Sequence, residues 1–243
     1  MEALTIDTTT IVVVSGSFLA AVANAVFSAG GALIVLAATS TVLPIQAIVP
    51  IHSTLLIGST ASRVYFFREH IKWNIAGPFL VGSLFGALVG ARVYVELPEA
   101  IIATAISLLM LVALWLPNVS WRPRIRHPWV IVGFVHTFIS TLFAYGALLH
   151  SIILRTGLQR REVIGTMAGA LTGMGAFKIA GYVIVGFDYS PYFKLIGLAL
   201  LASFVGTLVG KRLGEFLPES AFRVVFRLLV TVTALRLLYV GLV

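Results

Sequence analysis

The chain of 243 residues contains no cysteine. That excludes disulfides, thiolate metal sites and cysteine nucleophiles. Charge is scarce as well: Asp, Glu, Lys and Arg together make up 11% of the residues, against about 25% in soluble domains. Acid is scarcer than base, with nine Asp and Glu against seventeen Lys and Arg. Several motifs are absent. There is no G-x-x-x-x-G-K-[ST], so ATP is not the direct driver, and there is no HExxH. Ser and His residues are scattered, with no Ser–His–Asp set. No residue set points to a cofactor or a metal, and an enzyme is not the expectation.

Apolar residues fill the space. They account for 59% of the chain, and the mean hydropathy is +1.04. A water-soluble fold must cover itself with polar groups, and this chain cannot do so. The net charge of +8 could suggest nucleic acid. The basic residues fall between long apolar runs, however, where they read as membrane-topology signals and nucleic acid is not the expected partner. The opening Met1–Asp7 is acidic and lacks a basic n-region, so the first apolar stretch is expected to belong to the mature protein.

A bilayer core about 30 Å thick needs about 20 helical residues to cross it. Eight apolar stretches run near 11–43, 45–67, 73–95, 99–116, 129–154, 162–186, 192–212 and 220–242. The longest polar interval, Pro117–Pro128, carries Arg122, Arg124, Arg126 and His127. It divides the chain into a first repeat (1–117), a basic cytoplasmic linker (118–128) and a second repeat (129–243). The duplication is visible at a fixed offset: between Gly77–Glu99 and Gly197–Glu219, eleven of 23 positions are identical. They include Ser83/Ser203, Gly86/Gly206, Gly90/Gly210 and Arg92/Arg212. Earlier in each repeat Phe27 matches Phe143 and Gly30 matches Gly146.

The first stretch of each repeat is broken by small residues, at Ser28-Ala29-Gly30-Gly31 and at Ala144-Tyr145-Gly146. Each could cross once, giving parallel halves, or turn back, giving inverted halves. Lys and Arg accumulate on the cytoplasmic side, which separates the two. If all eight stretches cross, the basic residues divide eight against eight. With two re-entrant hairpins they divide thirteen against three, with Lys178 left inside the membrane. The expected fold is therefore an all-α polytopic membrane protein of two inverted four-segment repeats. Each repeat opens with a broken, re-entrant hairpin, and both termini lie outside the cytoplasm. Broken helices in inverted repeats place substrate near the midplane. The N-terminus of each returning half-helix, with free N–H groups and a positive dipole end, suits an anion.

Lys178 is the most unusual residue, a charge about 12 Å from the interface at 1.5 Å per residue, where charge is costly. Tyr182 follows one turn later on the same face. Arg63 is its counterpart at an offset of 115. Arg92 and Arg212 sit at segment ends and read as interface anchors. Polar groups able to hold an oxyanion gather nearby in sequence: Asn24 and Ser28 before the first tip, Gly30 and Gly31 within it, His52, Ser53 and Thr54 after Pro50, Tyr145 and Gly146 at the second tip, and Thr166 after Gly165. No Asp or Glu lies deep in a segment, which fits an anionic substrate better than a cation. If protons are coupled, His52 or His136 is the candidate. The small-residue runs Gly82/Gly86/Gly90 and Ala202/Gly206/Gly210 are explained by close helix packing.

Taken in order, the break Ser28-Ala29-Gly30-Gly31, the repeated Gly-x3-Gly-x-Arg of 86–92 and 206–212, and Gly165-Thr166 followed by Phe177-Lys178-x3-Tyr182 resemble the TauE/SafE sulfite exporter family. The first tip keeps only Gly30 and Gly31 where that family often has a fuller glycine cluster. The resemblance implies an eight-segment transporter of the bacterial inner membrane moving sulfite, thiosulfate or an organosulfonate, usually outward. Export by alternating access is the leading expectation. An anion channel on the same scaffold and a transporter of a small carboxylate are the alternatives.

Overall fold

The computed structural model describes residues 7–27, 30–115, 128–144, 146–153, 156–213 and 219–242. Their regular structure is entirely helical, in two short 3-10 helices (Arg68–His70 and Ser190–Tyr192) and ten α-helices: α1 (Thr8–Phe27), α2 (Gly31–Val42), α3 (Ile45–Phe67), α4 (Trp73–Glu96), α5 (Glu99–Trp115), α6 (Pro128–Phe143), α7 (Ala147–Ile153), α8 (Arg160–Ile184), α9 (Phe193–Leu213) and α10 (Glu219–Leu242). Residues 118–127, most of the expected linker, lie outside the described residues, and Pro128 opens α6.

Helix ends follow the chain's proline and glycine. Pro44 precedes α3, and Pro98 accepts the first amides of α5 from Ile101 and Ile102. Gly186, at φ 91°, stops α8 while the Phe187 amide closes back onto the Tyr182 carbonyl. Such a left-handed residue past the last turn suits glycine because it has no Cβ to clash. Pro50 inside α3 leaves the Gln46 carbonyl without its usual donor, and the Tyr94 hydroxyl lies 3.2 Å from that oxygen and 3.1 Å from Ile45 O.

The broken stretches are hairpins. α2 folds back along α1, with Gly16 against Ala38 and Gly31 against Asn24. The turn uses Gly30 at φ 89°. The second hairpin turns at Ala144, whose φ of 59° is unusual for a residue with a Cβ. α7 then returns beside α6, and the Leu149 amide meets the His136 ring. At 20 residues, α1 is long enough to cross a bilayer, as are α4, α8 and the Ser190–Arg212 stretch. The returning arms, of 12 and 7 residues, are not.

Packing joins the N-terminal and C-terminal halves of the chain element by element. α4 runs parallel to α6, and its Gly82, Gly86 and Gly90 face the α6 backbone so closely that a Cβ would strike it or Thr141. α9 runs parallel to α1 in the same manner: Gly206 faces the Phe18 carbonyl and Gly210 the Val22 carbonyl. These contacts recur at the offsets found in the sequence. Gly86 faces Phe134 O as Gly206 faces Phe18 O, and Ser83 Oγ donates to Gly133 O as Ser203 Oγ does to Ser17 O. Gly173 meets Leu80 as Gly58 meets Leu200. α8 also runs parallel to α4, with Gly173 at Leu80 and Gly181 at Ala87 O, whereas two other cross-half pairs are antiparallel. α3 lies on α8 with Phe67 O at Gly165 and Ile57 at Gly175, and α5 lies on α10 with Ala100 near Gly241 and Trp115 Nε1 bonded to Thr231 Oγ1.

The faces of α4 and α9 away from these seams are apolar and exposed: Phe85 is 56% accessible and Phe204 64%. Apolar surface on this scale belongs against lipid rather than water.

Candidate functional site

The antiparallel register of α3 on α8 sets Lys178 level with Thr54. There the side chain is 3% exposed and reaches the end of α6. Its Nζ donates to Ser140 O at 2.8 Å and to Ser140 Oγ at 3.0 Å. One turn later the Tyr182 hydroxyl donates to Thr141 O. A helix that stops inside the protein carries partial negative charge at its C-terminal end, and Ser140 O, which already accepts the Ala144 amide at 3.0 Å, takes the ammonium on its second lone pair. The broken end of α6 thus supplies what a buried ammonium needs. Among the described residues no carboxylate pairs with Lys178.

A histidine stands at each tip. His52, 1% exposed, lies with Nε2 3.0 Å from Ala32 O, just past Gly31. His136, fully buried, accepts the Leu149 amide on Nδ1 at 3.2 Å and lies beside Gly146 and the Phe79 ring. In both rings the second nitrogen, His52 Nδ1 and His136 Nε2, is buried without a hydrogen-bond partner among the described residues. Ser140, on which Lys178 rests, lies one turn beyond His136 on α6, and the register that sets Lys178 level with Thr54 puts His52 two residues away along α3.

Other residues singled out by sequence fall in different places. Asn24, half-buried, accepts the Gly31 amide at 3.1 Å and so fastens the first tip. The tips therefore do not present all their half-helix N–H groups free, as expected from sequence: Gly31 and Leu149 are already taken by side chains. Ser53 and Thr54 hydroxyls donate to Val49 O and Pro50 O within their own helix. Thr166 is 18 Å from Lys178 along α8, at about 1.5 Å per residue, and accepts the Lys72 amide at the start of α4. Arg63 is exposed, and its Nε donates to Ser59 O of its own helix. Ser28 and Tyr145 lie outside the described residues. Sequence gave His136 only a proton-coupling role; its place at the second tip follows from the fold-back of α7, which no local pattern announces.

Beyond Tyr182, aromatic rings close one end of this region. Tyr94 meets Tyr182 edge-on at 5.5 Å, and Phe187 meets Tyr189 at 4.8 Å and Tyr192 at 6.1 Å. The loop bearing them is fixed by Asp188, which accepts from both Ser190 N and Ser190 Oγ. The Ser190 backbone bond, then its hydroxyl, hold the Asp188 carboxyl below the usual carboxylate range.

A family profile described as "Sulfite exporter TauE/SafE" matches residues 13–237, nearly the whole chain. Neither the curated proteins nor the solved structures yield a match.

Proposed function

Since the chain belongs to the TauE/SafE sulfite exporter family, a family of membrane transporters for sulfite and related anions, we propose that it exports a small sulfur-containing anion by alternating access. The substrate is bound beside Lys178, between the two hairpin tips. The observation that carries this reading is the buried ammonium itself. A lysine held by neutral acceptors alone keeps its charge available for a ligand, whereas a carboxylate partner would neutralise it. Two of its three protons go to Ser140, leaving one to face an anion.

The inverted arrangement is supported by helix direction. If every apolar stretch crossed once, α3 and α8 would run parallel, as would α5 and α10. Both pairs are antiparallel, which follows if each hairpin returns to its own side. The thirteen-to-three division of basic residues points the same way. Asn24, Gly30 and Gly31 shape the first tip and Gly146 the second. Tyr182 steadies the α6 end on which Lys178 rests.

The test is sulfite efflux from proteoliposomes loaded with sulfite. Lys178→Met, which keeps the bulk of the side chain and removes the charge, is expected to abolish efflux while the protein stays monodisperse and thermally stable. Undiminished efflux would remove Lys178 from the mechanism. Flux that does not saturate with concentration would mark a channel instead.

A further inference from the structure

The hydrogen-bond partners of the two tip histidines fix which ring nitrogen carries a proton. A carbonyl can only accept, so His52 Nε2, facing Ala32 O, is protonated, and the neutral ring presents a bare Nδ1. A backbone amide can only donate, so His136 Nδ1, facing Leu149 N, is bare, and the ring presents an Nε2–H. The unpartnered atoms are therefore of opposite kind: an acceptor at the first tip and a donor at the second, both buried. Lys178 adds a further donor proton. A ligand that satisfies all three must offer oxygens to Lys178 and His136 and a proton to His52.

We propose that the two histidines make the site selective for a singly protonated oxyanion, hydrogen sulfite, over a sulfonate of the same charge that has no acid proton. This deepens the transport reading and rests on it. Dianionic sulfite and methanesulfonate would both leave His52 Nδ1 unsatisfied, and an unmade buried hydrogen bond is costly. The selectivity is thus set by donor and acceptor count rather than by net charge.

Isosteric amides separate this role from the histidines' grip on the tips. His52→Gln keeps a donor where Nε2 meets Ala32 O and removes Nδ1. His136→Asn keeps an acceptor where Nδ1 meets Leu149 N and removes Nε2–H. The experiment measures binding of sulfite and of methanesulfonate to the purified protein by calorimetry, in mildly acidic anaerobic buffer. The wild type is expected to prefer sulfite. His52→Gln should lose that preference by about tenfold, the value of one buried hydrogen bond, with methanesulfonate binding little changed. His136→Asn should weaken both anions. Equal binding of the two anions by the wild type would overturn the proposal, as would an unchanged preference in His52→Gln. Where a variant loses thermal stability, the wild-type comparison of the two anions decides alone. If the wild type binds sulfite through Lys178 without preferring it, only this proposal falls; if it binds neither anion, the transport reading falls with it.

Discussion

A lysine ammonium buried in an apolar interior has to be matched by charge or dipole, and Lys178 is matched by the end of a helix that stops short. The same residues bear on stability. The Tyr182 hydroxyl donates to Thr141 O inside the protein, so Tyr182→Phe is expected to lower stability by about 1–2 kcal/mol, read as a fall in thermal midpoint in detergent. Ala144 carries a left-handed φ that costs a residue with a Cβ about 1–2 kcal/mol. Ala144→Gly should recover part of that and raise the midpoint, whereas Gly30→Ala, at φ 89°, should lower it. At this scale the sequence showed Lys178 clearly, because charge within an apolar run is conspicuous. It did not show Ser140: the acceptor is partly a backbone carbonyl, which any residue supplies, on a helix 38 positions away. Polarity in an apolar stretch does not by itself mark the site: Thr166 accepts the Lys72 amide at the start of α4, and Arg63 folds onto its own helix.

Among the elements, the glycine-lined seams dominate. A Cβ at Gly206 would strike the α1 backbone, and one at Gly86 would strike α6. Gly206→Val and Gly86→Val should each cost about 1–3 kcal/mol by overpacking. Gly197 has nothing within 4 Å of a built Cβ, so Gly197→Ala should be neutral or stabilise by about 0.5–1 kcal/mol. Parallel melts of these variants check the contrast. The Asp188 loop makes a separate prediction in pH. Its carboxyl is held low in the folded state, so the contribution is present above the ordinary carboxylate range and lost as pH falls through the depressed value. Amide exchange at Ser190 should therefore quicken only in strongly acidic buffer. Helix extents were legible because proline and glycine punctuate them and the apolar runs match their lengths. The returning arms were harder to read, since an apolar run continues past a break whether the chain turns back or goes on. The sign of a fold-back is contact across the break, as of Gly16 with Ala38, Gly31 with Asn24 and Leu149 with His136, and such contacts have no local sequence pattern.

For the whole molecule, orientation is the prediction to test. The absence of native cysteine makes single-cysteine labelling direct. Cysteines replacing Arg124 or Arg160 are expected to react from the cytoplasmic side. One replacing Lys194, or a tag at either terminus, is expected to react from the opposite side. A terminus labelled from the cytoplasm would contradict the inverted arrangement. The duplication was legible from eleven shared positions, but not that its two copies interlock, because identity within a repeat says nothing about which copy a conserved glycine faces. The structure shows each glycine seam closing on the other copy, α4 on α6 and α9 on α1. Severing the chain between α5 and α6 would therefore produce two fragments, each holding a hairpin without its cradle and a cradle without its hairpin. Neither fragment has the means to mature in a bilayer by itself, and expressing them together should restore a transporter through mutual rescue.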